Sequence, residues 1–363
     1  MALPLIDDFR SIVTESRPLI DTRAPVEFAK GSFPGAVNLP LMNDSEREKV
    51  GTMYKQQGNA AAVALGHELV SGAVKEERVH AWIEFLKAHP DAYLFCWRGG
   101  QRSQIVQEWL HEAGFTIPRL RGGYKAFRNY LIDASLQLAQ AKEILILGGR
   151  TGSGKTLLLD AIDEMIDLEG LANHRGSSFG RFATPQPTQI SFENALAYAQ
   201  IRHDAAGFDR LIIEDESRNI GQCYIPHDVF DVFQQGKVIL LETPLEERIE
   251  ITYDEYVIIA QADYARHYAE GIAPYTWIEV MQHNFDRIRK RLGSENHRRL
   301  SDRLQMAWEH QQRTGDPGEH RIWIRELLER YYDPMYDYQI ERKRDRIVFS
   351  GDAQAVLEYL EAS

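Results

Sequence analysis

Residues 143–156 read EILILGG and then RTGSGKT, and this stretch limits the possible folds more than any other. After Glu143 the run is apolar throughout, so it reads as a strand covered on both faces, as in the interior of a parallel sheet. Gly149, four residues, Gly154, Lys155 and Thr156 complete the spelling of a phosphate-binding P-loop. The glycines of such a loop let successive backbone N–H groups point at phosphate oxygens, and the lysine adds positive potential. The same buried-strand signature returns in RLIIED at 210–215 and KVILLET at 237–243, and TLLLDAIDEMI after Lys155 has a helical pattern. Gly149, Gly152, Ser153, Gly154, Lys155 and Thr156 are the expected phosphate-binding set. Arg175 joins them from HRGSSFG at 174–180, where a plain surface turn is the competing reading. Thr156 is expected to ligate Mg2+ together with a carboxylate ending a neighbouring strand; Glu214 and Asp215 both stand there, and Asp215 is taken as the partner. The cradle recognises a diphosphate, which nucleotides share with prenyl diphosphates, and no stretch spells an adenine or guanine pocket.

A second loop, CWRGGQRS at 96–103, follows another apolar run, AYLF. Thiolate is the nucleophilic form of cysteine, and backbone N–H groups with nearby arginines stabilise it. Cys96 has Arg98 and Arg102 beside it in a glycine-containing loop, poor material for a packed core, so these three residues are the expected catalytic set. Cys223, in IGQCYIP, lacks such neighbours and reads as packing. The spacing Cys, five residues, Arg also belongs to cysteine phosphatases. Those usually carry histidine before the cysteine and need a general acid for the leaving group, whereas Phe95 precedes Cys96 here.

The bulk properties exclude several classes. Two cysteines make no disulfide framework, the N-terminus lacks a signal-like basic and apolar pattern, and no run approaches the roughly 18–20 apolar residues of a membrane span. A cytoplasmic protein without a membrane partner is expected. A formal charge of −12 disfavours indiscriminate polyanion binding while leaving room for a local basic face. The isolated histidines show no metal-ligand spacing.

At 363 residues two or three domains are expected. Residues 1–132 read as small βα units with a helical insertion at 42–88, residues 133–142 as a connecting helix, residues 143–250 as the P-loop α/β domain, and residues 251–363 as a helical region.

IDTRAPVEFAKGSFPGAVNLP at 20–40, the CWRGGQRS loop and RLRGGYKAFRNYL at 119–131 together resemble a rhodanese domain. The cysteine loop is one residue longer than in the common sulfur-carrying rhodaneses, which puts plain thiosulfate sulfurtransfer in doubt. A rhodanese domain followed by a P-loop domain, with the markers GTMYKQQG, HRGSSFG and EDESRNIG, resembles the tRNA 2-selenouridine synthase family across essentially the whole chain. That resemblance implies an α/β fold with a rhodanese-like domain, a P-loop NTPase-like domain and a mostly helical C-terminal extension. It also implies replacement of sulfur by selenium at C2 of wobble 2-thiouridine in the tRNA anticodon, with selenophosphate as donor and S-geranylation from geranyl diphosphate. Cys96 matches the family's essential cysteine, and Gly149, Gly152, Gly154, Lys155 and Thr156 match its P-loop.

Arg287, Arg289, Lys290, Arg291, Arg298 and Arg299 form a basic tract and are the expected tRNA-binding residues, with ERKRDR at 341–346 adding further charge. An alternating solvated helix face is the competing reading. Two rival functions stand beside selenation: an ATP-dependent rhodanese-type tRNA sulfurtransferase, and a non-catalytic rhodanese module that regulates a P-loop switch protein.

Overall fold

The computed structural model describes residues 3–362. Its contacts divide the chain into two compact units, Met1–Leu138 with Thr188–Gly207, and Ala139–Pro187 with Phe208–Ser363.

The first unit contains β1 (Leu5–Ile6), α1 (Phe9–Thr14), β2 (Leu19–Asp21), α2 (Pro25–Ala29), β3 (Ala36–Asn38), α3 (Asp44–Leu69), α4 (Gly72–Ala88), β4 (Tyr93–Phe95), α5 (Gln101–Glu112), β5 (Arg119–Leu120) and most of α6 (Gly123–Ala141). Its parallel sheet has the order β1-β5-β4-β2-β3. Successive strand residues face opposite sides. Leu19 and Phe95 enter one core with Phe33 and Phe127, while Ile20 and Leu94 enter another with Trp82 and Leu110. Burial on both faces explains the consecutive apolar residues Leu19–Ile20 and Leu94–Phe95. The insertion opens on a capping box, in which the Asn43 side chain accepts from Glu46 N at 2.9 Å and Glu46 accepts from Asn43 N at 2.8 Å.

Residues 189–205 fall inside the stretch assigned from sequence to the P-loop domain, yet their helix packs in the first unit. Ala197, Tyr198 and Ile201 share a core with Phe127, and Asn194 Nδ2 donates to Ser32 O at 2.8 Å.

The second unit contains β6 (Glu143–Gly149), β7 (Met165–Ile166), α7 (Leu168–Leu171), then, after α8 (Gln189–Ala205) in the other unit, β8 (Arg210–Glu214), a hairpin of β9 (Asn219–Ile220) and β10 (Cys223–Tyr224), α9 (His227–Phe233) and β11 (Lys237–Leu241). There follow α10 (Leu245–Tyr253), α11 (Ala260–His267), α12 (Ala273–Leu292), α13 (Ser294–Thr314), α14 (His320–Leu327), α15 (Asp333–Arg342), β12 (Ile347–Gly351) and α16 (Ala353–Ala362). The parallel sheet runs β12-β11-β6-β8-β7. The chain leaves β6 toward β7 and β8 and later crosses to β11 and β12. The loop after β6 therefore opens at the point where strand order reverses, where such sheets bind ligands. A separate helical core gathers around Trp277, Phe285, Leu304 and Trp323.

Two elements differ from the sequence reading. Lys155–Ala161 forms a 3₁₀ turn instead of the start of an α-helix. Ile347–Gly351, in the stretch read as helical, is a fifth parallel strand beside β11, and its half-buried, exposed alternation marks it as an edge. Among the described residues no helix is long and apolar enough to cross a membrane.

Candidate functional sites

Cys96 directly follows β4 and is 3% exposed. Its Sγ lies 3.2 Å from Ser103 Oγ and 3.9 Å from the carbonyl of Gly100, the residue that caps α5. Ser103, fully buried, was legible within the loop motif but given no role by sequence reasoning. The loop is shaped by a second glycine pair downstream. Tyr124 N donates to Cys96 O at 2.9 Å and Lys125 N to Trp97 O at 3.0 Å, while Arg119 donates to Gly99 O. Gly99 and Gly123 both have positive φ, and a Cβ on Gly123 would collide with Cys96 O and Gly99 N. Only glycine satisfies both demands.

The two arginines beside Cys96 take different positions. Arg102 donates to both oxygens of Glu27, at 2.5 and 3.3 Å. Burial pushes Glu27 up, but the Arg102 hydrogen bond and charge prevail and hold it below the usual carboxylate range. Arg98 is exposed and forms no ion pair among the described residues. Arg23, which sequence reasoning did not single out, is buried against the same loop. It pairs with Asp21 at 2.6 Å, and its guanidinium sits 3.8 Å above the Tyr124 ring, which in turn stacks on Trp97. Cys223 is 1% exposed, and burial raises its thiol pKa, as expected of an inert packing residue.

In the other unit the P-loop residues Gly152, Ser153, Gly154, Lys155 and Thr156 line one cavity with Arg175. Gly149 ends β6 at its base, and Lys155 Nζ donates to Gly149 O at 3.3 Å. Neighbouring helices brace the loop: Arg248 Nε donates to Thr151 O at 3.0 Å and is itself held by Asp333 at 2.5 Å, and Thr243 Oγ1 donates to Ser153 O at 2.8 Å. The hydroxyls of Thr151 and Ser153 are buried in the loop, lacking a conventional hydrogen-bond partner. Gly152 has φ +75°, and a Cβ there would strike Arg248 O and Thr252 Oγ1.

Sequence reasoning missed the acids of this cavity. Glu169, Glu216 and Glu255 line it with Tyr256 and Tyr336. Glu255 and Tyr256 lie in a π-helical turn, Asp254–Ile259, a distortion frequent at functional sites. Burial, reinforced by the Glu216 charge, raises Glu169 to about 9, and burial raises Glu216 to about 7 against the opposing pull of a hydrogen bond with Glu169 and of the Lys155 charge. Burial and the Glu169 charge push Glu214 up to about 8. Burial works against the Lys155 charge, but Tyr336 and the surrounding carboxylates hold its pKa above the ordinary value. The signal was present in sequence only as EDESRNIG, which does not reveal which of its acids turns inward.

Asp215, the expected Mg2+ partner of Thr156, forms an ion pair with Lys343. Among the described residues no cluster of three or more His, Cys, Asp or Glu side chains has the geometry to hold a metal ion.

The expected tRNA-binding residues share α12 and α13. Arg287, Arg289, Lys290, Arg291 and Arg298 are exposed, and Arg289 and Arg298 line one open basin with Glu295, Asp302 and His297. Arg299 is half-buried in an ion pair with Glu326 at 2.8 Å. Of the nearby aromatics, Tyr253, Tyr256, Tyr264, Trp277 and Trp308 are core, whereas Tyr268 and Tyr275 are exposed.

Comparison with known proteins matches both units. Residues 5–130 match the rhodanese-like domain, and residues 142–363 match the tRNA 2-selenouridine synthase AAA domain. A protein named tRNA 2-selenouridine synthase from Sulfurovum sp. (strain NBC37-1) is 53% identical over 99% of this chain and 98% of its own. Proteins of the same name from Pseudomonas putida (strain W619) and Pseudomonas syringae pv. syringae (strain B728a) are 50% and 51% identical over 98% and 97% of this chain and 98% and 96% of their own. A rhodanese-like unit carrying a buried cysteine, joined to a P-loop unit and matched from end to end, places this chain in the tRNA 2-selenouridine synthase family.

Proposed function

We propose that this protein replaces sulfur by selenium at C2 of the wobble 2-thiouridine of tRNA, with selenophosphate as donor, by way of an S-geranyl intermediate made from geranyl diphosphate. The observation that supports it most is the union, in one chain of this family, of a glycine-shaped cysteine loop and a cradle suited to a diphosphate.

In this reading the uridine sulfur attacks C1 of the geranyl group. The carbon–oxygen bond breaks, diphosphate departs and the N3 proton is released. Lys155 and the amides of Gly152–Thr156 stabilise the charge that accumulates on the leaving diphosphate. Arg175, on the cavity wall, adds to that potential. Glu169 and Glu214, held largely protonated near neutrality, keep the cavity from repelling the ligand. A Mg2+ ion fits the donors present: the Thr156 hydroxyl and the Glu216 carboxylate line the same cavity, and oxygens of the diphosphate would complete the shell. Such an ion would neutralise part of the leaving-group charge.

S-alkylation turns the thiocarbonyl sulfur into a leaving group. The selenium of selenophosphate then adds at C2, geranyl thiol is expelled after taking up a proton, and water cleaves the selenium–phosphorus bond with release of phosphate. Cys96, with Ser103 against its sulfur, acts at this second step, and Arg98 is the unpaired cation of its loop available to the donor's phosphate. The exposed arginines and lysine of α12 and α13 contribute electrostatic attraction for tRNA.

Nucleoside mass analysis after incubation with each cosubstrate tests this. Thiolated tRNA with geranyl diphosphate alone yields S-geranyl-2-thiouridine, and adding selenophosphate yields 2-selenouridine. A requirement for ATP and an unthiolated acceptor would instead support the sulfurtransferase.

A further inference from the structure

The loop after β8 leads into a second, larger basin in the P-loop unit, of about 510 Å3. Its walls come from three segments: Asp215–Asn219, Phe230 of α9 with Gln234 that caps this helix, and the stretch from Gln339 to Arg346 at the end of α15. Four cations line it, Arg218, Arg342, Lys343 and Arg346, against two acids, Asp215 and Glu216. Lys343 is committed to Asp215. Arg346 is anchored by neutral carbonyls, donating to Gln234 O and to Gly236 O at 3.2 Å, and forms no ion pair among the described residues. Arg218 and Arg342 are exposed and form no ion pair among the described residues; each guanidinium lies near a tyrosine ring, 5.5 Å from Tyr224 and 5.8 Å from Tyr338. This concentration of positive charge stands on a chain whose net charge is −12, so it is local and not a property of the whole surface.

The uncharged lining is of a different kind from that of a simple anion site. Phe230 offers an aromatic face, and Gln234, Gln339 and Asn219 offer amides that both donate and accept. Aromatic faces with amides and guanidinium groups are the means by which unpaired bases and their phosphates are held. Glu216 lines both this basin and the P-loop cavity, so the two adjoin.

We infer that this basin holds the single-stranded RNA segment next to the reacting nucleotide, with Arg218 and Arg342 on its phosphates and Phe230 against a base. The inference rests on the reading of tRNA as substrate, and it places a second RNA contact apart from the arginines of α12 and α13. A strand seated here would run past Glu216 toward the diphosphate cradle.

The test is binding of the full chain to an anticodon stem-loop RNA carrying 2-thiouridine, measured over a salt series. The double variant Arg218→Ala/Arg342→Ala should lose tenfold or more in affinity, and its log K against log salt slope should flatten by about 1.4, the value for two single-strand phosphate contacts. Phe230→Ala should weaken binding with the slope unchanged. Arg344→Ala is the control: this exposed arginine lies in the same basic run, is paired with Glu341 at 3.6 Å, and stays outside the basin lining. Thermal melting confirms that the variants fold. Unchanged affinity and slope in the double variant would overturn the inference while leaving the proposed reaction standing. Wild-type protein that fails to bind the RNA at all would sink both. If inorganic phosphate at low millimolar concentration bound wild type and not the double variant, while the two bound the RNA equally, the basin would be a free-phosphate site and the inference would fail.

Discussion

Around Cys96 the buried charged side chains answer one another and only the exposed Arg98 does not, whereas around Lys155 the buried charges are left unmatched. Arg102 is matched to Glu27 and Arg23 to Asp21, so the thiol loop has a settled electrostatic frame, and its shape comes from backbone contacts between two glycine-bearing segments. At the P-loop one lysine faces a group of buried carboxyls with raised pKa values, and their protons, more than ion pairs, balance the charge. The first site should therefore respond sharply to changes of shape, and the second to pH.

The largest expected difference lies in chemistry. Lys155→Ala removes the cation at the diphosphate and should lower geranyl transfer by about a hundredfold or more, the usual scale for losing a group that stabilises leaving-group charge. Product formation from geranyl diphosphate alone measures this. An unaffected rate would place diphosphate binding elsewhere.

Shape comes next. Gly123→Ala puts a methyl group on Cys96 O and Gly99 N at a positive φ, and should cost about 3 kcal/mol or more of stability by denaturant titration. Gly35→Ala, also at positive φ but in open space, should cost only about 1 kcal/mol. Equal effects would show that the cysteine loop does not depend on this close approach.

The pH response sharpens the other side. Folded-state values of Glu169, Glu214 and Glu216 are raised, so these carboxyls hold protons that the unfolded chain has released by about pH 5. Their contribution to stability is present at low pH and falls as pH rises through the folded values. Each proton lost also adds a negative charge beside the cradle. Geranyl diphosphate affinity should drop about fivefold between pH 7 and pH 9, equivalent to ~1 kcal/mol of added repulsion. Glu169→Gln should flatten that drop in isothermal titration; an unchanged profile would show that the raised acids do not govern binding.

At Arg102 the expected effect is on stability alone. Arg102→Ala leaves Glu27 without its main partner and should cost about 1–3 kcal/mol. Glu27 is held below its ordinary value, so the wild-type advantage exists above the usual carboxylate range and disappears as pH falls through the lowered value. A difference between wild type and variant that persists at strongly acidic pH would argue against this pairing as the cause.

The parts legible in sequence are those whose information is local. Ile144–Leu147, Leu211–Ile213 and Val238–Leu241 had to be buried strands because no face of them is polar. The two loops were legible because glycine, lysine and cysteine at fixed spacing serve one purpose. Long-range placement was not. The helix Gln189–Ala205 has an apolar face that would suit either core, and only the fold shows it beside Phe127. Asp215 and Glu216 are adjacent in sequence, yet the first turns to Lys343 and the second into the P-loop cavity. The arginines of α12 and α13 looked equivalent as text, but Glu326, at the end of α14, claims Arg299 and lies 3.7 Å from Arg303.

The division of labour between the loops is tested most directly by the Cys96→Ser protein given thiolated anticodon stem-loop, geranyl diphosphate and selenophosphate together, with the nucleosides then weighed. The account predicts that S-geranyl-2-thiouridine accumulates and 2-selenouridine is absent. Selenouridine formed at the wild-type rate, or loss of geranylation along with selenation, would contradict it.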